Sequence, residues 1–221
     1  MTVLPDAGRR FDVRFPPNWF EIDLWRATRT GELARMVDQR ISETPAMASY
    51  RGAILTFLRE VAADADRRGV VFAAAMAEPV DADRMLMATA LAIVTQGPPD
   101  AAGNTVDEIA AQLTSTPASG HGSDATWRRV EVSEVAAGRC VRVTGVDLAQ
   151  VAAGQSAPAV VMHTLIPVPG AQQVLDLVLT SPQPELADAL LDLFDAISGT
   201  LTWAADETGP GDASGTGGPA H

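Results

Sequence analysis

The 221-residue sequence contains no lysine and a single cysteine, Cys140. One cysteine excludes an internal disulfide and is typical of proteins from a reducing compartment. Phosphate backbones and anionic lipid surfaces are bound by clustered basic residues, and the formal net charge of -12 opposes both kinds of contact. We therefore expect binding neither to nucleic acid nor to membranes.

Long apolar runs are also missing. No segment approaches the roughly 18 to 20 uninterrupted apolar residues of a membrane span, and the first 15 residues lack the apolar core of a signal peptide. The sequence thus predicts a cytoplasmic protein. Its 47% hydrophobic content suffices for one substantial core. We expect a single domain over residues 11–205, an N-terminal extension at 1–10, and a disordered acidic tail rich in Gly, Ala and Pro at 206–221.

Catalytic and metal-binding motifs are missing as well. The chain has no G-x-S-x-G elbow and no P-loop, and its histidines and cysteine do not match zinc-site spacings. We expect neither a metal nor a cofactor. Two weak reactive candidates remain. His163 lies in a predicted strand, where a hydrogen-bonded structural role is commoner, and Cys140 has the context of a buried thiol that packs as a small hydrophobe.

The most informative segment of the sequence runs from Val174 to Trp203. Its first part alternates apolar and polar residues with the period of a strand, and its second part repeats apolar residues with the period of a helix. The alternating apolar positions are Leu175, Leu177 and Leu179, and the helical ones include Leu190, Phe194 and Ile197. Asp188, Asp192 and Asp195 fall on the opposite, solvated face. Such a helix covers one side of a sheet.

Similar patterns predict the other elements. Helices are expected from about Gly31 to Ile41, from Met47 to Arg68 after a Thr44-Pro45 start, and after Thr105, which forms a capping box with Glu108. Two strands are predicted between Phe11 and Leu24, separated by Pro16-Pro17-Asn18. The other predicted strands are Val70–Ala77, Met85–Val94, Trp127–Val132, Arg139–Val146, Ala159–Pro167 and Val174–Thr180. The fold class is therefore α+β, a largely antiparallel sheet of about six to eight strands covered by helices.

Trp19 and Trp25 are candidate interface residues. They flank the short predicted strand Phe20–Leu24, and a strand at a sheet edge offers both backbone hydrogen bonds and an aromatic anchor to a partner. Self-association or docking of another protein would then use this edge. The alternative is that both indoles are buried against the helix Met47–Arg68, as large aromatic side chains often are.

Two motifs carry a resemblance to known proteins. The run Phe15-Pro16-Pro17-Asn18-Trp19 and the closing segment from Ser181-Pro182 to Ile197 resemble a family of actinobacterial proteins. The order of elements over residues 11–203 is similar to that of the Mog1/PsbP-like α/β/α sandwich. The resemblance implies an accessory or adaptor role in assembly, trafficking or envelope processes, with an association with type VII secretion. It supplies no catalytic residues.

Two hypotheses about function follow. The first is a non-enzymatic cytoplasmic binding protein, an adaptor or chaperone for a protein partner that the sequence does not identify. The alternative is a small-molecule-binding protein, or a hydrolase without a recognised motif, that uses a pocket between sheet and helices. Such a site needs an enclosed cavity of roughly 300 Å³ or more, with apolar walls and a few converging polar groups.

Overall fold

The structure, a computed structural model, describes residues 2–4, 9–24, 31–80, 84–97, 104–115, 127–152 and 155–204. The strands are β1 (Thr2–Val3), β2 (Arg10–Asp12), β3 (Trp19–Ile22), β4 (Phe72–Pro79), β5 (Met85–Gln96), β6 (Trp127–Val135), β7 (Gly138–Ala152), β8 (Gln155–Pro167), β9 (Gln173–Ser181) and β10 (Thr202–Trp203). The helices are α1 (Glu32–Glu43), α2 (Arg51–Arg67), α3 (Val106–Ser115) and α4 (Ala187–Gly199). The predicted α+β class is confirmed.

Seven strands form the main sheet in the order β3-β4-β5-β9-β8-β7-β6, and every neighbouring pair is antiparallel. Strands β6 to β9 follow one another as the predicted meander. The last of them, β9, pairs with β5 and closes the sheet in the middle. Along the chain, α3 and strands β6 to β8 lie between β5 and β9.

Helices cover both faces of this sheet. On β9, Leu175, Leu177 and Leu179 pack with Leu190 and Phe194 of α4 in one apolar cluster, and we call this side the α4 face. On the other side, α1 and α2 cover β3, β4 and β5, whereas α3 packs on Val141 of β7 and Val174 of β9. We call it the α2/α3 face. The residues that alternate along β9 therefore lie on two faces of the sheet, and helices pack on both of these faces.

Two segments differ from the patterns expected for them. The helix predicted from Met47 starts with a 3-10 turn, Pro45–Tyr50, and Thr44 makes no side-chain cap. At the start of the chain, β2 pairs with β1 and β10 in a separate three-stranded sheet and not in the main sheet. Pro16 and Pro17 lack the backbone N–H that would continue a ladder into β3.

The Thr105–Glu108 capping box is present as predicted. Glu108 N donates to Thr105 Oγ1, and Thr105 N donates to Glu108 Oε2, each at 3.3 Å. These bonds satisfy backbone donors at the start of α3. Within the described residues, no helix has the length and apolar character needed to cross a membrane. The predicted tail, 206–221, lies outside the described residues, so the predicted domain limits stay predictions.

Candidate functional site

A groove of about 250 Å³ lies on the α2/α3 face of the sheet, beside α3. We call it the His163 groove. Its apolar lining comes from Leu113 of α3 and from strand residues Val143, Val161 and Leu165. Its polar side chains are Arg128, Asp147, His163 and Asp176. Among the described residues, α1 and α2 cover β3, β4 and β5 on this face and α3 packs on β7 and β9, and the groove lies beside α3 over β6, β7 and β8.

Gly145 forms part of the groove floor. It pairs with Arg128 on β6 and with Val161 on β8, so a side chain here would lie between those two residues. A Cβ at this position would lie 2.1 Å from the carbonyl oxygen of Trp127. Since real Cβ atoms do not approach that closely, the close packing of β6 on β7 requires glycine. The missing side chain keeps this part of the floor open.

His163 and Asp176 form a hydrogen-bonded pair in the groove. The Nδ1 atom of His163 lies 3.0 Å from Oδ2 and 3.3 Å from Oδ1 of Asp176. Because an ionised carboxylate only accepts hydrogen bonds, Nδ1 carries the hydrogen. In the neutral ring Nε2 is then a free acceptor. The His163 side chain is 35% exposed and that of Asp176 is 17% exposed, so the pair is accessible from the groove.

Two further charged side chains line the groove. Arg128 makes no hydrogen bond or ion pair that the structure records with another described residue, and its five N–H donors are therefore available. Asp147 is exposed, and its Oδ1 accepts a hydrogen bond from the backbone N of Leu148 at 2.7 Å. The groove therefore combines apolar walls with a strong donor, a carboxylate and an imidazole.

The His163–Asp176 arrangement is one that activates nucleophiles in enzymes. Among the described residues that line the groove, however, neither a serine nor a cysteine is present. Thr144 also borders it, but Thr144 pairs with Met162 and so belongs to the α4 face. Within the described part of the chain, no group of three or more His, Cys, Asp or Glu side chains is placed to hold a metal ion.

Cys140, the other predicted reactive candidate, lies on the α4 face. It is fully buried in the apolar cluster under α4. Burial raises the pKa of the Cys140 thiol; the positive charge of Arg142 opposes this effect, and the negative charge of Asp195 adds to it. A neutral, buried thiol is a poor nucleophile. The sheet therefore separates Cys140 from His163, and the two residues do not form one site.

Trp19 lies on β3, which is an edge strand of the main sheet. Its side chain is nevertheless buried, with 5% exposure, and its ring centroid lies 5.0 Å from that of Phe15. It packs in the cluster of the α4 face, on the side of the sheet opposite α2. Trp19 therefore does not present its ring to a partner in this structure, and it does not pack on α2 either. Trp25 lies outside the described residues, so the interface prediction remains a prediction.

Sequence reasoning missed the polar groove residues Asp176, Arg128 and Asp147, and also Gly145 of the groove floor. A signal for Asp176 was available, because it is the one charged residue of the largely apolar strand β9. A carboxylate on a strand whose two faces are covered requires a partner. No local pattern indicates Gly145 or Arg128, since their roles depend on how β6 packs on β7.

Comparisons with known proteins include a similar solved structure. No protein-family model and no curated protein matches the chain. Among solved structures, the crystal structure of LpqN, involved in cell envelope biogenesis of Mycobacterium tuberculosis, is similar at 12% sequence identity with a TM-score of 0.46. The alignment covers 89% of this chain and 84% of that chain. A likeness of this size supports no conclusion about function, and the resemblance to the Mog1/PsbP-like sandwich is not confirmed.

Proposed function

We propose that this chain is a non-enzymatic binding protein and that the His163 groove holds its ligand, a small amphipathic molecule. The observation that carries the proposal is the accessible His163–Asp176 pair. His163 Nδ1 lies 3.0 Å from Asp176 Oδ2, and the pair lines a concave surface with apolar walls. Ligand sites in proteins combine such walls with a few converging polar groups. The volume of about 250 Å³ is below the roughly 300 Å³ expected of a full ligand pocket, so it suits a small ligand or one end of a larger one.

The polar groups define the chemistry of the ligand. With Nδ1 bonded to Asp176, the Nε2 of His163 accepts a hydrogen bond from a ligand hydroxyl or N–H group. Arg128 offers a fork of donors that fits a carboxylate or phosphate. Val143, Val161 and Leu165 offer apolar contacts to the rest of the ligand. A small hydroxylated or amino-bearing organic anion satisfies all three requirements.

A ligand screen followed by NMR tests this function. Small hydroxy acids and amino acids with an apolar side chain are added to the labelled protein, and we expect shifts at Val143, Val161 and His163. Val161→Phe fills the groove and should weaken the binding of any hit about tenfold or more. The matched control, Val80→Phe, adds the same ring at an exposed site and should leave affinity unchanged. Equal affinity of both variants would contradict the proposal.

The same screen separates binding from hydrolysis. A binding protein returns each hit unchanged after prolonged incubation, whereas a hydrolase converts it. Ester analogues of the hits, followed by mass spectrometry, give the second readout. Turnover that His163→Gln abolishes would support the hydrolase alternative instead, because the dyad would then act on bound water or substrate.

The adaptor or chaperone-like role, the association with type VII secretion and the cytoplasmic location remain proposals that the sequence and its resemblance support. The described contacts identify no partner protein. Affinity capture from a native lysate, with the wild-type chain and with Val161→Phe in parallel, tests the adaptor role. A partner recovered by both versions would use a surface other than the groove.

A further inference from the structure

Strand β6 forms the second edge of the main sheet. Among the described strands, β7 is its only neighbour, and all nine residues Trp127–Val135 pair with β7 on that side. None of the nine is a proline, so each residue keeps its backbone donor. Val132 in the middle of the strand is 44% exposed, although the directly paired Val141 is fully buried. Within the described part of the chain, the outer side of β6 is therefore a long strand edge without a backbone partner.

The order of residues along β6 is self-complementary. Glu131 is its central residue, and residues at equal distance from Glu131 face each other when two copies pair antiparallel about this position. Arg128 then faces Glu134 of the second copy, and Val130 faces Val132 of the second copy. By symmetry each contact occurs twice. Directly opposite residues interact across antiparallel strands, where opposite charges and β-branched pairs are stabilising.

These four residues also share one face of the sheet. Val130 pairs with Val143 and Val132 with Val141, residues of the α2/α3 face, and strand residues two apart lie on the same side. On the other face Arg129 is opposite Ser133, and Glu131 is opposite its own copy. That like-charge contact is flanked diagonally by Arg129 of each chain, which offsets it.

We propose that β6 pairs with β6 of a second copy of this chain, with Glu131 at the two-fold axis. Charged residues on an edge strand usually prevent sheet association. Here Arg128 and Glu134 make no ion pair that the structure records with a described residue, and their placement about Glu131 makes them complementary between copies. A two-fold symmetric contact uses the same surface on both chains, as this strand does. The two seven-stranded sheets become one continuous sheet.

The other main-sheet edge is less suited to this contact. Strand β3 has four residues, and their order has no such symmetry. On β6, a shift that centres the pairing on Val130 or Val132 pairs fewer of the nine residues and separates Arg128 from Glu134. Pairing about Glu131 uses the whole strand and matches both charges.

Charge reversal tests the contact. Sedimentation velocity at about 0.15 M salt, where surface charges interact only over roughly 8 Å, measures the dimer dissociation constant. Glu134→Arg places arginine opposite Arg128 and should raise that constant roughly tenfold or more. Adding Arg128→Glu to the same chain restores opposite charges and should restore the dimer. Glu60→Arg, which makes the same charge change at an exposed residue of α2, is the control.

Disulfide trapping tests the register. Cα atoms of directly opposite residues are about 4.5 to 5.5 Å apart, within the range that a disulfide spans. Glu131→Cys should therefore form a covalent dimer on mild oxidation, because residue 131 is opposite its own copy. Glu134→Cys, which is opposite Arg128, should not. Cys140 is fully buried and does not interfere.

Three results would overturn the proposal. They are a chain that stays monomeric at high micromolar concentration, a dimer that Glu134→Arg leaves as stable as Glu60→Arg does, and cross-linking through position 134 but not 131. Circular dichroism of each variant shows that the fold is intact. The double variant guards against misfolding, because a misfolded chain would not regain the dimer when a second charge is reversed.

Discussion

Gly145 and Trp127 are in such close contact that a Cβ on Gly145 would lie 2.1 Å from the Trp127 carbonyl oxygen. The contact joins two neighbouring strands, β6 and β7, at the floor of the His163 groove. Since the atom in the way belongs to the backbone, it cannot move without displacing β6. This relationship therefore affects both the groove and the outer strand edge.

Gly145→Ala should destabilise the protein by about 2–3 kcal/mol, the upper part of the range for overpacking. The free energy of unfolding from urea titration measures the effect. Gly52→Ala is the control, because Gly52 lies in α2 with open space around its Cβ position. Alanine there should raise stability by roughly 0.5–1 kcal/mol. If both substitutions have the same sign, the contact with Trp127 does not constrain residue 145.

Phe194→Ala should remove about 3–5 kcal/mol of stability. The Phe194 ring is fully buried between α4 and the sheet, and its removal leaves a cavity that the surrounding side chains fill only in part. Thermal and urea unfolding both measure the loss. Leu186→Ala, at a largely exposed position before α4, should cost less than about 1 kcal/mol. Similar losses for the two would show that the α4 face is loosely packed.

Asp195→Ala should destabilise the protein more than Asp192→Ala on the same helix. Arg142 is buried, donates hydrogen bonds to Asp195 and, at 3.0 Å, to Ser198 Oγ, and has no recorded partner for its Nε. Removing Asp195 leaves a buried guanidinium without its counter-charge.

Because the Asp195 side chain is 60% exposed, water screens the pair, and we expect about 1–2 kcal/mol and not the full cost of a buried ion pair. Asp192 is exposed, and its removal should change stability by less than about 0.5 kcal/mol. Urea titration at neutral pH compares the two. An equal effect would show that Arg142 is stabilised without Asp195.

Cys140 should make the protein less stable at alkaline pH. Burial raises the pKa of its thiol from the ordinary value of 9.0, so the folded chain keeps a proton that the unfolded chain releases. The unfolded state then binds fewer protons, and the free energy of unfolding falls as the pH rises above about 9. The absence of lysine and the single tyrosine leave few other groups that titrate here.

Comparison with Cys140→Ala isolates this effect, because the variant lacks the thiol and should lose less stability between about pH 8 and 10. Urea titrations across that range provide the measurement. In the native wild-type protein, thiol reagents should react only as fast as the protein opens. Rapid labelling of the folded chain would show that Cys140 is accessible.

Most elements of the fold are predictable from the sequence alone. The alternation of Leu175, Leu177 and Leu179 and the helical spacing of Leu190, Phe194 and Ile197 predict β9 and α4, and both are present and pack on each other. The α+β class and the antiparallel meander follow from the same periodicities. These properties are local, because a strand or a helix places its apolar side chains by its own geometry.

Which side chains are in contact depends on the tertiary structure. His163 and Asp176 are 13 residues apart, and Arg142 and Asp195 are 53 apart, so no local spacing indicates either pair. The sequence predicted Asp195 as part of a solvated acidic face, and it is exposed but also holds Arg142. Pairing register decides these contacts, because a shift of one residue moves every side chain of a strand to the other face. Register placed Cys140 under α4 and His163 in the groove.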